Sequence, residues 1–304
     1  MKKSVKTNAP ERHYDILWGM ILVLLTLGMV SNLVKPINPD GSIDEGDGKV
    51  VIENRLGADL VVVVDKVPEA IGVAVVAHGL GGNKDGTDIV AIAETMRDHG
   101  LTTVRYDASN AKGESGGYLS DAKATTYVND LVDVLDWAKQ QAWFKPPLIL
   151  AGHSLGATAS ALYAERHPDE VSGLILISGV VSGTINLQAA PQRSSEGWER
   201  MWQEIKSSFD GQQSSDQVNW LPFFIDLLQF NILNDADKLT MPVLIVAGEN
   251  DELAPVIHQQ KFYDALPGSK ELQIIANAGH VFRQDPELST LKQVINQWLD
   301  VLLP

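Results

Sequence analysis

From residue 49 onward, short runs of aliphatic and β-branched residues alternate with longer stretches of helical periodicity. The runs fall at 50–52, 60–64, 73–77, 101–105, 148–151, 174–178, 243–247 and 272–275. The helical patterns fall at about 86–98, 122–141, 155–166, 255–265 and 287–302. Most runs are apolar throughout rather than at every second residue, which suits strands buried on both faces of a parallel sheet. Strands alternating with helices make βαβ units. The first two runs have no helix between them and predict an antiparallel hairpin at one edge. The expected fold is therefore α/β, a mostly parallel eight-stranded sheet flanked by helices.

One interval breaks the rhythm. Residues between the run ending at Ser178 and the run beginning at Val243 carry no clear strand signal. They hold Trp198, Trp202, Phe209, Trp220, Phe223, Phe224 and Phe230, half of the 14 Trp and Phe residues in the chain. Residues 182–238 are read as a helical insertion, a lid over the carboxyl ends of the strands, where open α/β sheets bind ligands. Its aromatic residues either line an apolar acyl or aryl pocket or pack a small core of their own. The stretch 219–230 has a single charge and, if exposed, would suit contact with lipid.

The amino terminus is of a different character. Residues 16–34 contain no charged residue, and a helix of that length spans about 28 Å, close to the hydrocarbon thickness of a bilayer. Lys2, Lys3, Lys6 and Arg12 precede the run, while Asp40, Asp44, Glu45 and Asp47 follow it. The positive-inside rule places the amino terminus in the cytoplasm and the rest outside. Residues 1–34 are read as a retained single-pass anchor, with a cleaved signal peptide as the alternative. The protein would then be extracytoplasmic, either membrane-anchored or secreted. Residues 35–48, rich in Pro, Gly and Asp, form a linker to the domain at 49–304.

A net charge of −15 with no basic stripe argues against nucleic acid as a partner. The absence of cysteine removes disulfides, thiolate zinc sites and a cysteine nucleophile together. No H-E-x-x-H, paired-histidine or EF-hand pattern is present, so neither a metal nor another cofactor is implied.

Gly152-His153-Ser154-Leu155-Gly156 fits G-x-S-x-G between a strand and a helix. A sharp turn there strains the serine, and the flanking glycines make room for it. Three other segments join it: His78-Gly79-Leu80-Gly81-Gly82 after a strand, Gly248-Glu249-Asn250-Asp251-Glu252, and Ala278-Gly279-His280. In this order they resemble the α/β-hydrolase superfamily over about residues 70–300. Within it the chain resembles bacterial feruloyl and cinnamoyl esterases and monoacylglycerol-lipase-like hydrolases. Arg105-Tyr106-Asp107 and Gly113-Glu114-Ser115-Gly116-Gly117 are similar to a loop of that group, although Asn110-Ala111-Lys112 departs from the usual Arg-Gly-His.

Serine needs a base within hydrogen-bond reach. Of seven histidines, His280 lies on a loop after the last strand with small neighbours. His13, His99, His167 and His258 lie at helix ends, within a helix or before the apolar run, and His78 is read as stabilising its glycine-rich loop. Asp251 follows a strand and is taken to orient His280, with capping of the next helix as its alternative role. The backbone N–H groups of Leu155 and Leu80 are the expected oxyanion donors. Gly79 and Gly81 let the backbone approach a substrate. His153, inside the elbow with its side chain turned from the serine's face, is grouped with them as substrate-binding. The expected activity is hydrolysis of small acyl or aryl esters. Amide or thioester cleavage and a non-catalytic, membrane-tethered binding module are the alternatives.

Overall fold

The sheet is built where the sequence is apolar on both faces. In β4 (Gly72–Ala77), Val73, Val75 and Ala77 pack on one side while Ala74 and Val76 pack on the other. The same two-sided alternation runs through β6 (Leu148–His153), β7 (Gly173–Ile177) and β8 (Val243–Gly248). A strand with period-two side chains and no polar face must be covered twice, and helices do so. The computed structural model describes residues 43–44, 48–189, 203 and 214–303.

Around these central strands lie β5 (Leu101–Tyr106) and β9 (Lys270–Ile275), parallel to them. On the β5 side the sheet continues antiparallel through β3 (Asp59–Asp65), β2 (Lys49–Glu53) and β1 (Ile43–Asp44). The order is β1-β2-β3-β5-β4-β6-β7-β8-β9. The eight expected strands are all present, and β2 and β3 form the expected hairpin. The sheet is extended by β1, a ninth strand within the stretch read as linker. Its two residues pair with Lys49 and Val50 through the backbone and need no apolar run.

Helices α1 (Thr87–Asp98) and α7 (Glu287–Leu302) cover one face, their Ile89, Ile92, Met96, Leu291, Ile295 and Leu299 fully buried. Helices α2 (Ala124–Ala138), α3 (Leu155–Arg166) and α6 (Val256–Ala265) cover the other. Between β7 and β8 run α4 (Gly183–Ala189) and α5 (Trp220–Leu227), joined at their roots by a bridge from Ser182 to Asn231. The stretch 219–230, which would suit lipid contact if exposed, is partly covered. Phe223, Phe224 and Leu227 are buried against the body of the domain. Among the described residues no helix is long and apolar enough to cross a membrane. Residues 16–34 lie outside them, as does most of 190–213.

The strand order turns outward in both directions from β4, so the connections of β4 and β6 leave opposite sides of the sheet and open a crevice at their carboxyl ends. The loops after β4, β6, β8 and β9 carry the four sequence segments singled out above.

Candidate active site

Ser154 links β6 directly to α3 at φ 55° and ψ −117°, a conformation that L-residues rarely adopt. Its neighbours explain how the turn is tolerated. A Cβ on Gly152 would stand 2.3 Å from the carbonyl carbon of Gly156, and one on Gly156 would stand 2.2 Å from the oxygen of Ala77. Only glycine fits at either place, so the glycines let strand, turn and helix close on one another.

The loop after β9 brings His280 to the serine. Its Nε2 lies 3.0 Å from Ser154 Oγ. On the other side of the ring, Nδ1 donates to Asp251 at 2.9 Å to Oδ2 and 3.1 Å to Oδ1. The carboxylate only accepts, so the ring proton sits on Nδ1 and Nε2 is free to accept from the serine hydroxyl. Asp251 Oδ1 also accepts from the N–H groups of Leu253 and Ala254. The capping role considered for Asp251 and its contact with His280 thus coexist. Burial alone would raise the Asp251 carboxyl. The His280 hydrogen bond and charge and the Ala254 N–H outweigh it, and the carboxyl lies below its ordinary range. Glu249 and Glu252, on either side, are exposed.

Ser154 and His280 open into a cavity of about 200 Å³. Leu80 and Leu155 line it with them. Leu155 begins α3, and the first N–H groups of a helix have no acceptor within it, so its amide is available where charge would develop. The rest of the lining comes from the insertion and the β8 loop: Val180, Asn186, Trp220, Phe223, Phe224, Leu227 and Leu253. Trp220 stacks on Phe224 with ring centroids 5.5 Å apart, and Phe223 meets both edge-on. The aromatic residues of α5 therefore do both things the sequence left open: they wall the cavity and pack on one another.

Comparison with known proteins follows the same lines. Residues 68–216 match the family described as serine aminopeptidase, S33, and residues 190–301 match the PhoPQ-activated pathogenicity-related proteins. A monoglyceride lipase homolog of Monkeypox virus is 24% identical over 246 residues, 74% of this chain and 87% of its own. A pyrethroid hydrolase of Sphingobium wenxiniae is 30% identical over 92 residues, 30% of this chain and only 31% of that protein. Among solved structures, Est1E from Butyrivibrio proteoclasticus with ferulic acid bound superposes with a TM-score of 0.67 at 21% identity, covering 81% of this chain and 96% of that one. The chain has the α/β-hydrolase fold.

In this α/β-hydrolase fold the glycine-rich loop is braced by His78, as its sequence position led one to expect, and by Asp107. His78 is buried; its Nδ1 donates to the Gly79 carbonyl at 2.8 Å and its Nε2 accepts from the Ala108 N–H at 3.0 Å. Burial holds its pKa below the ordinary value despite the Gly79 carbonyl, as a neutral ring in two hydrogen bonds requires. Asp107 accepts from the N–H groups of Lys84 at 2.6 Å and Glu114 at 2.9 Å, tying that loop to the one after β5. Gly113 must be glycine, since a Cβ there would lie 2.3 Å from the Asp107 carboxyl carbon. The spacing of Asp107 and Gly113 carried this signal, but nothing local says which loop the carboxylate grips.

Gly79 approaches the serine closely, with a built Cβ 2.9 Å from Ser154 Cβ. Gly81 has φ 66° and open space around it. Neither lines the cavity. His153 does not line it either, contrary to its grouping with the substrate-binding residues. It is buried beneath the serine, with Nε2 2.7 Å from the main-chain oxygen of His280. The elbow sends successive side chains to opposite sides, so the residue before an exposed serine faces inward.

Proposed function

We propose that this α/β-hydrolase is a carboxylic-ester hydrolase working through an acyl-enzyme on Ser154. The observation that carries the reading is the unbroken line Asp251–His280–Ser154 opening into an apolar cavity. Ser154 Oγ attacks the ester carbonyl carbon while its proton passes to His280 Nε2, and the resulting imidazolium is held by Asp251. The oxyanion is received by the N–H groups of Leu80 and Leu155, where a single donor is worth on the order of 100- to 1000-fold in rate. Collapse expels the alcohol, which takes the proton from Nε2. Water then gives a proton to His280 and attacks the acyl carbon, and the second collapse returns the serine hydroxyl and releases the acid.

The aromatic wall of α5 acts as a lid surface suited to acyl or aryl groups of modest size. The monoglyceride lipase homolog and the ferulic acid bound to Est1E support ester substrates of that kind. Amide cleavage by the same three side chains is the second reading, favoured by the description of the matching family. Against it, the described lining offers no carboxylate for the ammonium group of an aminopeptidase substrate. Residues 16–34 would tether the enzyme to a membrane with its domain outside.

A fluorophosphonate probe is expected to label the parent chain and not Ser154→Ala. That variant should fold normally yet lose at least about 1000-fold in turnover of 4-nitrophenyl butyrate. Turnover equal to the parent's would refute the reading. A 4-nitroanilide cleaved faster than the matched ester would select the amide reading instead.

A further inference from the structure

Behind the reacting groups lie a second buried histidine and a second buried carboxylate that the chemistry above does not use. His153, 4% exposed, directs Nε2 at the main-chain oxygen of His280 from 2.7 Å. A carbonyl only accepts, so Nε2 carries the proton and donates it. Nδ1 then faces Oδ2 of Asp88 at 3.7 Å. Asp88 is 1% exposed on α1, and that oxygen has no hydrogen-bond partner among the described residues. Its other oxygen accepts from Nε of Arg283 at 3.1 Å.

Arg283 stands three residues beyond His280, so the loop is gripped at two places. His153 holds the main chain of His280, and Asp88 holds the side chain of Arg283. Phe282 between them is fully buried, edge-on to His153 with centroids 6.5 Å apart. The rings of His153 and His280 are 5.1 Å apart. A buried carboxylate oxygen left unpaired costs free energy. Packing alone would be served better by an apolar residue at position 88, and the cost falls where the His280 loop is anchored.

We infer that His153 is a positioning residue for His280, and that Asp88 completes the clamp through Arg283. The inference rests on His280 being the base. Asp251 fixes the imidazole at its ring, and the clamp fixes the backbone from which that ring hangs. Both are needed to keep Nε2 within reach of Ser154, because a displacement of about 1 Å at such a contact can cost about 100-fold in rate.

Two replacements at one position separate positioning from packing. In His153→Gln the amide N–H reaches to where Nε2–H stands; in His153→Asn it stops short. With 4-nitrophenyl butyrate, His153→Asn is expected to lose about 100-fold in kcat with KM within about twofold, and His153→Gln to stay within about threefold of the parent. Asp88→Asn, which weakens the grip on Arg283, should lose about tenfold in kcat with KM unchanged. An Asn variant as fast as the parent would overturn the inference. So would a rise in KM with kcat intact, which would return His153 to substrate contact. Should His153→Asn fail to fold, unchanged kcat in Asp88→Asn overturns it alone. Fluorophosphonate labelling keeps the two readings apart. No labelling of the parent sinks the Ser154 assignment, whereas equal labelling rates of parent and His153→Asn sink only the clamp.

Discussion

Glu165 sits on α3, the helix that begins at the nucleophile elbow, and is 5% exposed with Oε1 unpaired among the described residues. Burial, reinforced by Asp235 and Asp237 and opposed by Arg166 and Lys238, pushes its pKa up to about 8 from an ordinary 4.5. The sign of the consequence is fixed by proton counting. Below about pH 4.5 both folded and unfolded chains hold the proton, and ionisation of Glu165 adds no cost. As pH rises toward 8 the unfolded chain ionises while the folded one resists, so stability declines across that window and levels off above it. Glu165→Gln removes the titration. Its melting temperature should exceed the parent's by more at about pH 8.5 than at about pH 5. A difference independent of pH would mean that the carboxyl ionises freely in the folded state. Ser154 also carries a cost, in its backbone. Its φ of 55° is tolerated because Gly152 and Gly156 leave no Cβ in the way, and the reward is a hydroxyl aimed out of the turn.

At the scale of elements, the cavity depends on how α5 is held. Asp226, the one ionisable residue in 219–230, accepts from Thr125 twice: 2.8 Å from its N–H and 2.7 Å from its hydroxyl. Thr125 lies in the first turn of α2, whose free N–H groups and dipole favour a carboxylate. The aromatic wall is therefore clasped to the body of the domain by Asp226 in addition to the burial of Phe223, Phe224 and Leu227. Asp226→Ala should destabilise the protein by about 2 kcal/mol, as lost hydrogen bonds to a charged group do. It should also lower kcat/KM for 4-nitrophenyl octanoate relative to the acetate, since the long acyl chain leans on the wall and acetate needs none. A panel of chain lengths checks this, and a ratio equal to the parent's would show that α5 stays in place without the clasp. Neither Asp226–Thr125 nor His153–His280 was legible in the sequence. A motif gives position along the chain, whereas these contacts join residues over 100 positions apart. The central strands were legible for the opposite reason. Burial on both faces makes β4, β6, β7 and β8 free of polar side chains apart from His153 at the end of β6, and each helix start follows a local change of period. At β1 no such signal exists, because two backbone-paired residues impose no pattern on side chains.

For the whole molecule, the chain divides into residues 1–35 and residues 36–304. The two segments differ in physical character. The first has 19 uncharged residues in a row behind four basic ones, and the remainder carries the acidity that brings the chain to −15. A charge-free stretch that would span about 28 Å if helical would gain by leaving water for hydrocarbon, whereas an acidic domain with its apolar strands covered on both faces gains nothing by following. The full chain is thus expected in the membrane fraction, resistant to release by salt and released by detergent. Deleting residues 2–34 should move it to the soluble fraction with kcat/KM on 4-nitrophenyl butyrate within about twofold of the parent, because every residue of the proposed chemistry lies after residue 78. An intact mass lacking the first 28 or so residues would select the cleaved signal peptide, with Thr26 and Gly28 as the small residues preceding the cut. Full-length chain found wholly in the cytosol would overturn both, because residues 16–34 would then have to bury their apolar surface against protein rather than lipid.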